Sequence, residues 1–166
     1  MNLFEAVDSA KSLLGDNPQQ LSLIIALCGL SRCCADYLIA HPSLLEKLQV
    51  KSLQSYWDGE RYLVEQELAM VSRFREMARE YILRAVGARE IREDTWVATQ
   101  GDLNDLRRAY RFQLLQIVAE DALHPDPLAF FSVVAAKLAA LTDATLEGAL
   151  ALSRSQYDSQ GEVDFA

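Results

Sequence analysis

The sequence is poor in residues that break regular structure. Its 166 residues hold seven glycines and four prolines, about 7% together against roughly 12% in average usage, which leaves little material for turn-rich β architecture or low-complexity linkers. There is no Gly-Gly pair, no G-x-x-x-x-G-K and no G-x-G-x-x-G, so no recognisable phosphate cradle. No Asp-x-Asp pair is present to hold a nucleotide's magnesium. The two histidines, His41 and His124, each adjoin a proline at an expected helix boundary, with no H-E-x-x-H or G-x-S-x-G nearby, which removes the common zinc and serine-nucleophile arrangements. No Glu is followed three residues later by His, which excludes the di-metal bundle motif. The three cysteines, Cys28, Cys33 and Cys34, form no C-x-x-C pair and read as reduced, buried thiols of a cytosolic protein. The N-terminus lacks a basic leader, and the longest apolar run, Leu23 to Leu27, is far shorter than the ~20 residues of a membrane span. Secretion and membrane insertion are not expected.

What is present suits an ordinary globular chain: 51% hydrophobic and 24% charged residues, with a formal net charge of -8. Nine arginines lie between Arg73 and Arg111 with seven acids interleaved, leaving that segment at about +2 inside an acidic protein. A mixed-sign segment in a chain of pI near 4.7 is a poor electrostatic footprint for nucleic acid.

The periodicity is helical. A short amphipathic helix is expected around Leu3, Phe4, Val7 and Leu14, and a second, apolar nearly all round from Leu21 to Leu30, should be buried on nearly every side as a central rod. Ser31 is an N-cap candidate for a third helix to Ala40, and Pro42 opens a fourth over Ser43 to Leu48. A long helix is expected from Gly59 to Val86 with Gly87 as its stop. Asp102 can cap the next, whose stripe is Leu103, Leu106, Tyr110, Leu114 and Ile117. The run His124, Pro125, Asp126 and Pro127 ends it, and a last helix covers Leu128 to Leu152. No useful period-2 alternation precedes the last few residues. The fold expected is all-α, an irregular bundle of six to eight helices in one domain over 1–166, short helices filling 1–50 and long ones 59–166.

Three local features are candidates for chemistry. Arg107, Arg108 and Arg111 share one flank of their helix, where three guanidiniums could grip a phosphate or carboxylates, or pair with Asp102 and Asp105 on a solvated flank. Asp143 and Glu147, four apart, read as a polar face. Residues 25–38 have a helix, glycine, helix rhythm, but Ala26 and Gly29 are spaced wrongly for a helix-turn-helix and only Arg32 could face phosphates; helical-hairpin packing is the expectation there.

Three stretches together resemble the glutamine synthetase adenylyltransferase/adenylyl-removing enzyme family. They are Leu30 to Leu48, with its His41-Pro42-Ser43-Leu44-Leu45; Leu106 to Asp121, with its Leu-Arg-Arg-x-x-Arg start; and Val134 to Leu152, with its Leu-Ala-Ala-Leu-Thr-Asp-Ala-Thr-Leu-Glu. Gln116 and Glu120 stand where the family commonly has arginine, whereas Arg107, Arg108 and Arg111 match. The resemblance implies the helical N-terminal region of a larger cytoplasmic, bifunctional enzyme. One half of that enzyme attaches AMP to a tyrosine of glutamine synthetase and the other removes it by phosphorolysis, regulating nitrogen assimilation. It implies ATP and magnesium for the parent and none in this chain, since the family's Gly-Gly-x-Glu-Leu and Asp-x-Asp residues are missing and the tail from Gly161 resembles the strand leading toward them. The implied partners are an adjoining nucleotidyltransferase domain and glutamine synthetase, with a PII-type signalling protein as a further candidate, and neither nucleic acid nor membrane. No catalytic or metal residue carries over; the candidate contact residues are Arg107, Arg108 and Arg111. The alternative is a free-standing helical protein-interaction module.

Overall fold

The computed structural model describes residues 18–48, 64–93, 95–124 and 126–159. The expected first helix, the start of the long helix before Val64 and the tail from Gly161 lie outside the described residues. Within them are five helices: α1 (Pro18–Leu30), α2 (Arg32–Ala40), α3 (Val64–Ala85), α4 (Leu103–Leu123) and α5 (Pro127–Ser159). Leu44–Lys47 is a single helical turn, and a hairpin joins β1 (Ala88–Arg92) to β2 (Thr95–Ala98). The described residues are mostly helical, with five helices and one helical turn among them. That turn, flanked by Ser43 and Leu48, is the short fourth helix expected over Ser43 to Leu48, and the hairpin makes the chain other than purely α.

The helix ends follow local chemistry. The Ser31 hydroxyl accepts from the Cys34 N–H at 3.4 Å and starts α2. Asp126 Oδ1 accepts from the N–H groups of Leu128 and Ala129 at 3.1 and 3.0 Å, and Pro127 takes the first helical position, where its missing N–H costs nothing. Gly87, at φ +59, closes α3 in the left-handed conformation that glycine adopts freely.

The chain divides into two compact units. In the first (Met1–Glu60 and Val118–Phe130), α1 and α2 form a tight helical pair joined by the single residue Ser31. The expected central rod is corrected here: α1 buries Leu23 and Leu27 but exposes Leu21, Ile25 and Leu30, because a two-helix pair covers only one side of a helix. Cys28 and Cys33 are likewise exposed and Cys34 half-buried, not the buried thiols expected. His124 stacks on Phe130 at 4.2 Å between ring centroids, at the boundary where it was expected.

The second unit (Arg61–Ile117 and Phe131–Ala166) has its core on α3, α4, α5 and the hairpin, with Ile82, Val86, Leu106, Ile117, Leu141 and Ala144 buried together. The helices meet closely at Gly148: a Cβ there would lie 2.7 Å from Ile82 Cγ2 and 3.0 Å from Leu106 Cδ1, so glycine lets α5 approach its neighbours. The hairpin pairs Ala88 with Ala98 and Glu90 with Trp96, with a register irregularity between Glu90 and Arg92. Its base is tied by Gly101 N–H to Val86 O at 3.2 Å and by the Thr99 N–H and hydroxyl, both donating to Gly87 O at 3.1 and 2.7 Å. Sequence patterning missed it because Arg89, Glu90, Ile91 and Arg92 of β1 are all exposed, so the strand shows no apolar alternation.

Counting apolar runs also understated α5. Pro127–Tyr157 is by length and composition long and apolar enough to cross a membrane; Lys137, Asp143 and Glu147 break it into short runs. One face of α5 belongs to the core of the second unit through Ala140, Leu141, Ala144 and Leu152. About 33% of its most apolar window is buried within the chain, and Phe131, Leu146 and Leu150 are exposed.

Candidate functional site

The arginine flank is set by the start of α4. Asp102 Oδ1 accepts from the N–H groups of Asn104 and Asp105 at 2.7 and 2.9 Å, while Asp105 Oδ2 accepts in return from the Asp102 N–H at 3.0 Å. This reciprocal box satisfies donors that a helix start otherwise leaves open. The other Asp105 oxygen accepts from Arg108. The Asp102 backbone N–H, foremost, and then the Arg108 guanidinium hold the Asp105 carboxyl below its ordinary range. Because the folded form favours the ionised carboxylate, this contribution to stability is present above the ordinary aspartate pKa and is lost as pH falls through the lowered value. An NMR titration should place the Asp105 midpoint below that of an unstructured aspartate, and Asp105→Ala should fray the first turn of α4 in amide exchange. A midpoint at or above the unstructured value would contradict the box.

Arg107, Arg108 and Arg111 are all exposed, while Leu106, Ala109, Phe112 and Gln113 between and beside them are buried. The helix therefore presents the three guanidiniums on its outer side, as the spacing predicts. Arg108 is engaged by Asp105. The three side chains project from a surface: none lines either of the two clefts of the second unit described next.

One cleft, of about 410 Å³, is lined by Glu76, Arg79, Glu80 and Arg84 of α3, with Ala88 and Trp96 of the hairpin. Sequence reading gave no sign of what anchors it. Arg79 Nε and Nη2 donate to the two oxygens of Glu147 at 2.7 and 2.6 Å, a bidentate pair between residues 68 apart. The same guanidinium lies 5.4 Å from the centre of the Trp96 ring, and Arg154 Nη1 donates to the Trp96 carbonyl at 3.1 Å. Glu147, expected on a polar face, is thus an ion-pair partner joining α5 to α3, whereas Asp143 is exposed. A local sequence window contains no trace of such a contact. The second cleft, about 380 Å³, lies between the start of α4 and α5 around Gly101, Asp102, Ala149 and Ser153.

Among the described residues no group of three His, Cys, Asp or Glu side chains could hold a metal ion. The described part of this chain therefore offers no fit for the magnesium that the family resemblance implies for a parent enzyme.

No family model matches the chain, and no solved structure gives a significant match. Curated proteins do. A bifunctional glutamine synthetase adenylyltransferase/adenylyl-removing enzyme of Bifidobacterium longum subsp. infantis is 31% identical over 149 residues, covering 87% of this chain and 12% of the relative. One from Bifidobacterium longum is 30% identical over the same length. Another, from Leifsonia xyli subsp. xyli, is 38% identical over 92 residues, 52% of this chain and 8% of the relative. This chain spans about an eighth of the length of the bifidobacterial relatives it matches. Together with the Leu30–Leu48, Leu106–Asp121 and Val134–Leu152 stretches, the matches show that this chain is homologous to a segment of the bifunctional glutamine synthetase adenylyltransferase/adenylyl-removing enzymes.

Proposed function

We propose that the chain serves as the helical N-terminal segment of a cytoplasmic enzyme that adenylylates and deadenylylates glutamine synthetase, and that it is a scaffold and interface with no catalysis of its own. The observation that carries this reading is the match over 87% of the chain to enzymes so named. The site chemistry supports the silent role. AMP transfer requires metal and positioning groups around the phosphates, and this sequence carries no Gly-Gly or Asp-x-Asp stretch of the kind the family uses for them. ATP and magnesium then belong to an adjoining nucleotidyltransferase domain. The exposed flank Arg107, Arg108 and Arg111 is the contact surface, suited to the carboxylates of a partner protein, with glutamine synthetase as the leading partner and a PII-type protein as a further one.

Calorimetric titration of the purified chain into glutamine synthetase tests the interface. Binding that weakens as salt rises is expected, because rim charges are screened, and the triple change Arg107→Glu, Arg108→Glu, Arg111→Glu should weaken it by tenfold or more, a loss of about 1.4 kcal/mol. Binding that is indifferent to all three substitutions, or none at all, would remove the arginine flank from this role.

A further inference from the structure

The three arginines on the outer side of α4 are not equally available. Arg108 donates to Asp105, and Arg111 has a contact of its own within the chain. Arg107 forms no hydrogen bond or ion pair among the described residues. A carboxylate arriving from outside therefore meets Arg107 without displacing an internal partner, while Arg108 would first have to give up Asp105. Arg107 and Arg111, four residues apart, also bring like charges together along one line of the helix, a repulsion that an anion between them relieves.

One turn before Arg107 on the same line stands Leu103, which is 51% exposed although it opens the apolar stripe of α4. Leu103 is also a wall of the second cleft, whose other walls include Gly101, Ala149, Leu152 and Ser153. The arginine flank and the cleft are thus continuous through this one side chain, with the unpaired guanidinium about 6 Å further along the helix axis. Interface hot spots are built in this way, an arginine beside a recess that takes an apolar side chain out of water.

We propose that the anchor of the interface is the cleft together with Arg107, and that it takes a surface segment of glutamine synthetase bearing an apolar side chain and a carboxylate one helical turn apart. This rests on the interface role proposed above. The apolar side chain fills the cleft between Leu103 and Leu152, and the carboxylate lies on Arg107 toward Arg111. Arg108 stays with Asp105 and adds only charge at a distance. A nucleotide phosphate is the poorer occupant of the cleft. Asp102 lines it, and its Oδ1 already accepts from the N–H groups of Asn104 and Asp105, so a phosphate would meet a carboxylate where it needs free donors.

Calorimetric titration of variants of the full chain into glutamine synthetase tests the anchor, with circular dichroism to verify that each variant stays helical. Ser153, exposed on α5, is the position from which to fill the cleft. Ser153→Trp should weaken binding roughly tenfold, Arg107→Ala roughly fivefold and Leu103→Ala roughly threefold, whereas Arg108→Ala should cost less than about twofold. Ser153→Ala, which leaves the cleft open, should bind as the wild-type chain does. Suppose the triple charge reversal weakens binding but Ser153→Trp binds at full strength, or Arg107→Ala and Arg108→Ala lose equally. Either result would overturn the anchor and leave the arginine flank as the contact surface. No binding by the wild-type chain would overturn both.

Discussion

Gly101→Ala should lower stability by about 3 kcal/mol, more than an exposed-loop substitution normally does. Gly101 leads from β2 into α4, and an added Cβ would sit 2.4 Å from Val86 Cα, 2.7 Å from its carbonyl carbon and 2.8 Å from its oxygen. These are backbone atoms at the end of α3, so no side chain can swing aside to make room. Relief requires the hairpin base to open, and opening it strains the Gly101–Val86 and Thr99–Gly87 hydrogen bonds. For a domain of this size, the expected fall in thermal midpoint is roughly 6–12 °C. Gly87→Ala acts at the same base by another route, placing an L side chain at φ +59, and should cost about 1 kcal/mol. If Gly101→Ala proved milder than Gly87→Ala, the close approach of Gly101 to Val86 would be wrong.

The second large effect is expected at Ile82, which is fully buried among α3, α4 and α5. Ile82→Ala removes a core side chain and leaves a cavity, at a cost of about 3 kcal/mol. Gly148 makes this site informative beyond its size. Alone, Gly148→Ala pushes a methyl against Ile82 Cγ2 at 2.7 Å and should cost about 1–2 kcal/mol. In the Ile82→Ala background the nearer obstructing atom is gone, Leu106 Cδ1 at 3.0 Å is the end of a flexible side chain that can turn aside, and the new methyl enters the cavity. The same substitution should then be neutral or stabilising, giving a coupling of more than about 1 kcal/mol between residues 82 and 148. Additive effects in denaturant unfolding would mean that the two helices do not meet at Gly148.

Most helix boundaries could be read from the chain because they are made locally. Ser31, Asp102 and Gly87 act on groups within a few residues of themselves, and the composition of those few residues displays their chemistry. The hairpin escaped because its pairing is stabilised at a base closed by Gly87 and Gly101, fourteen residues apart, while its exposed strand is written in arginine and glutamate. Helix α1 misled for another reason: Ile25 and Leu30 are apolar, but burial depends on having a neighbour to cover them, and composition does not supply one. Within the candidate site, the outward placement of Arg107, Arg108 and Arg111 follows from helical spacing alone. The Arg79–Glu147 pair and its contact with Trp96 depend on three elements meeting in space, which no window of sequence encodes. Homology to the adenylyltransferase enzymes was legible from three short stretches in the right order, since a series of weak matches constrains more than any one of them.

The most direct test of a scaffold without catalysis is to incubate the purified chain with radiolabelled ATP, magnesium and glutamine synthetase and to count label on the synthetase. No AMP should be incorporated above the level seen without the chain, while a complete bifidobacterial relative run beside it labels the synthetase. Transfer of AMP by this chain alone would contradict the proposed role and place a catalytic centre within these 166 residues.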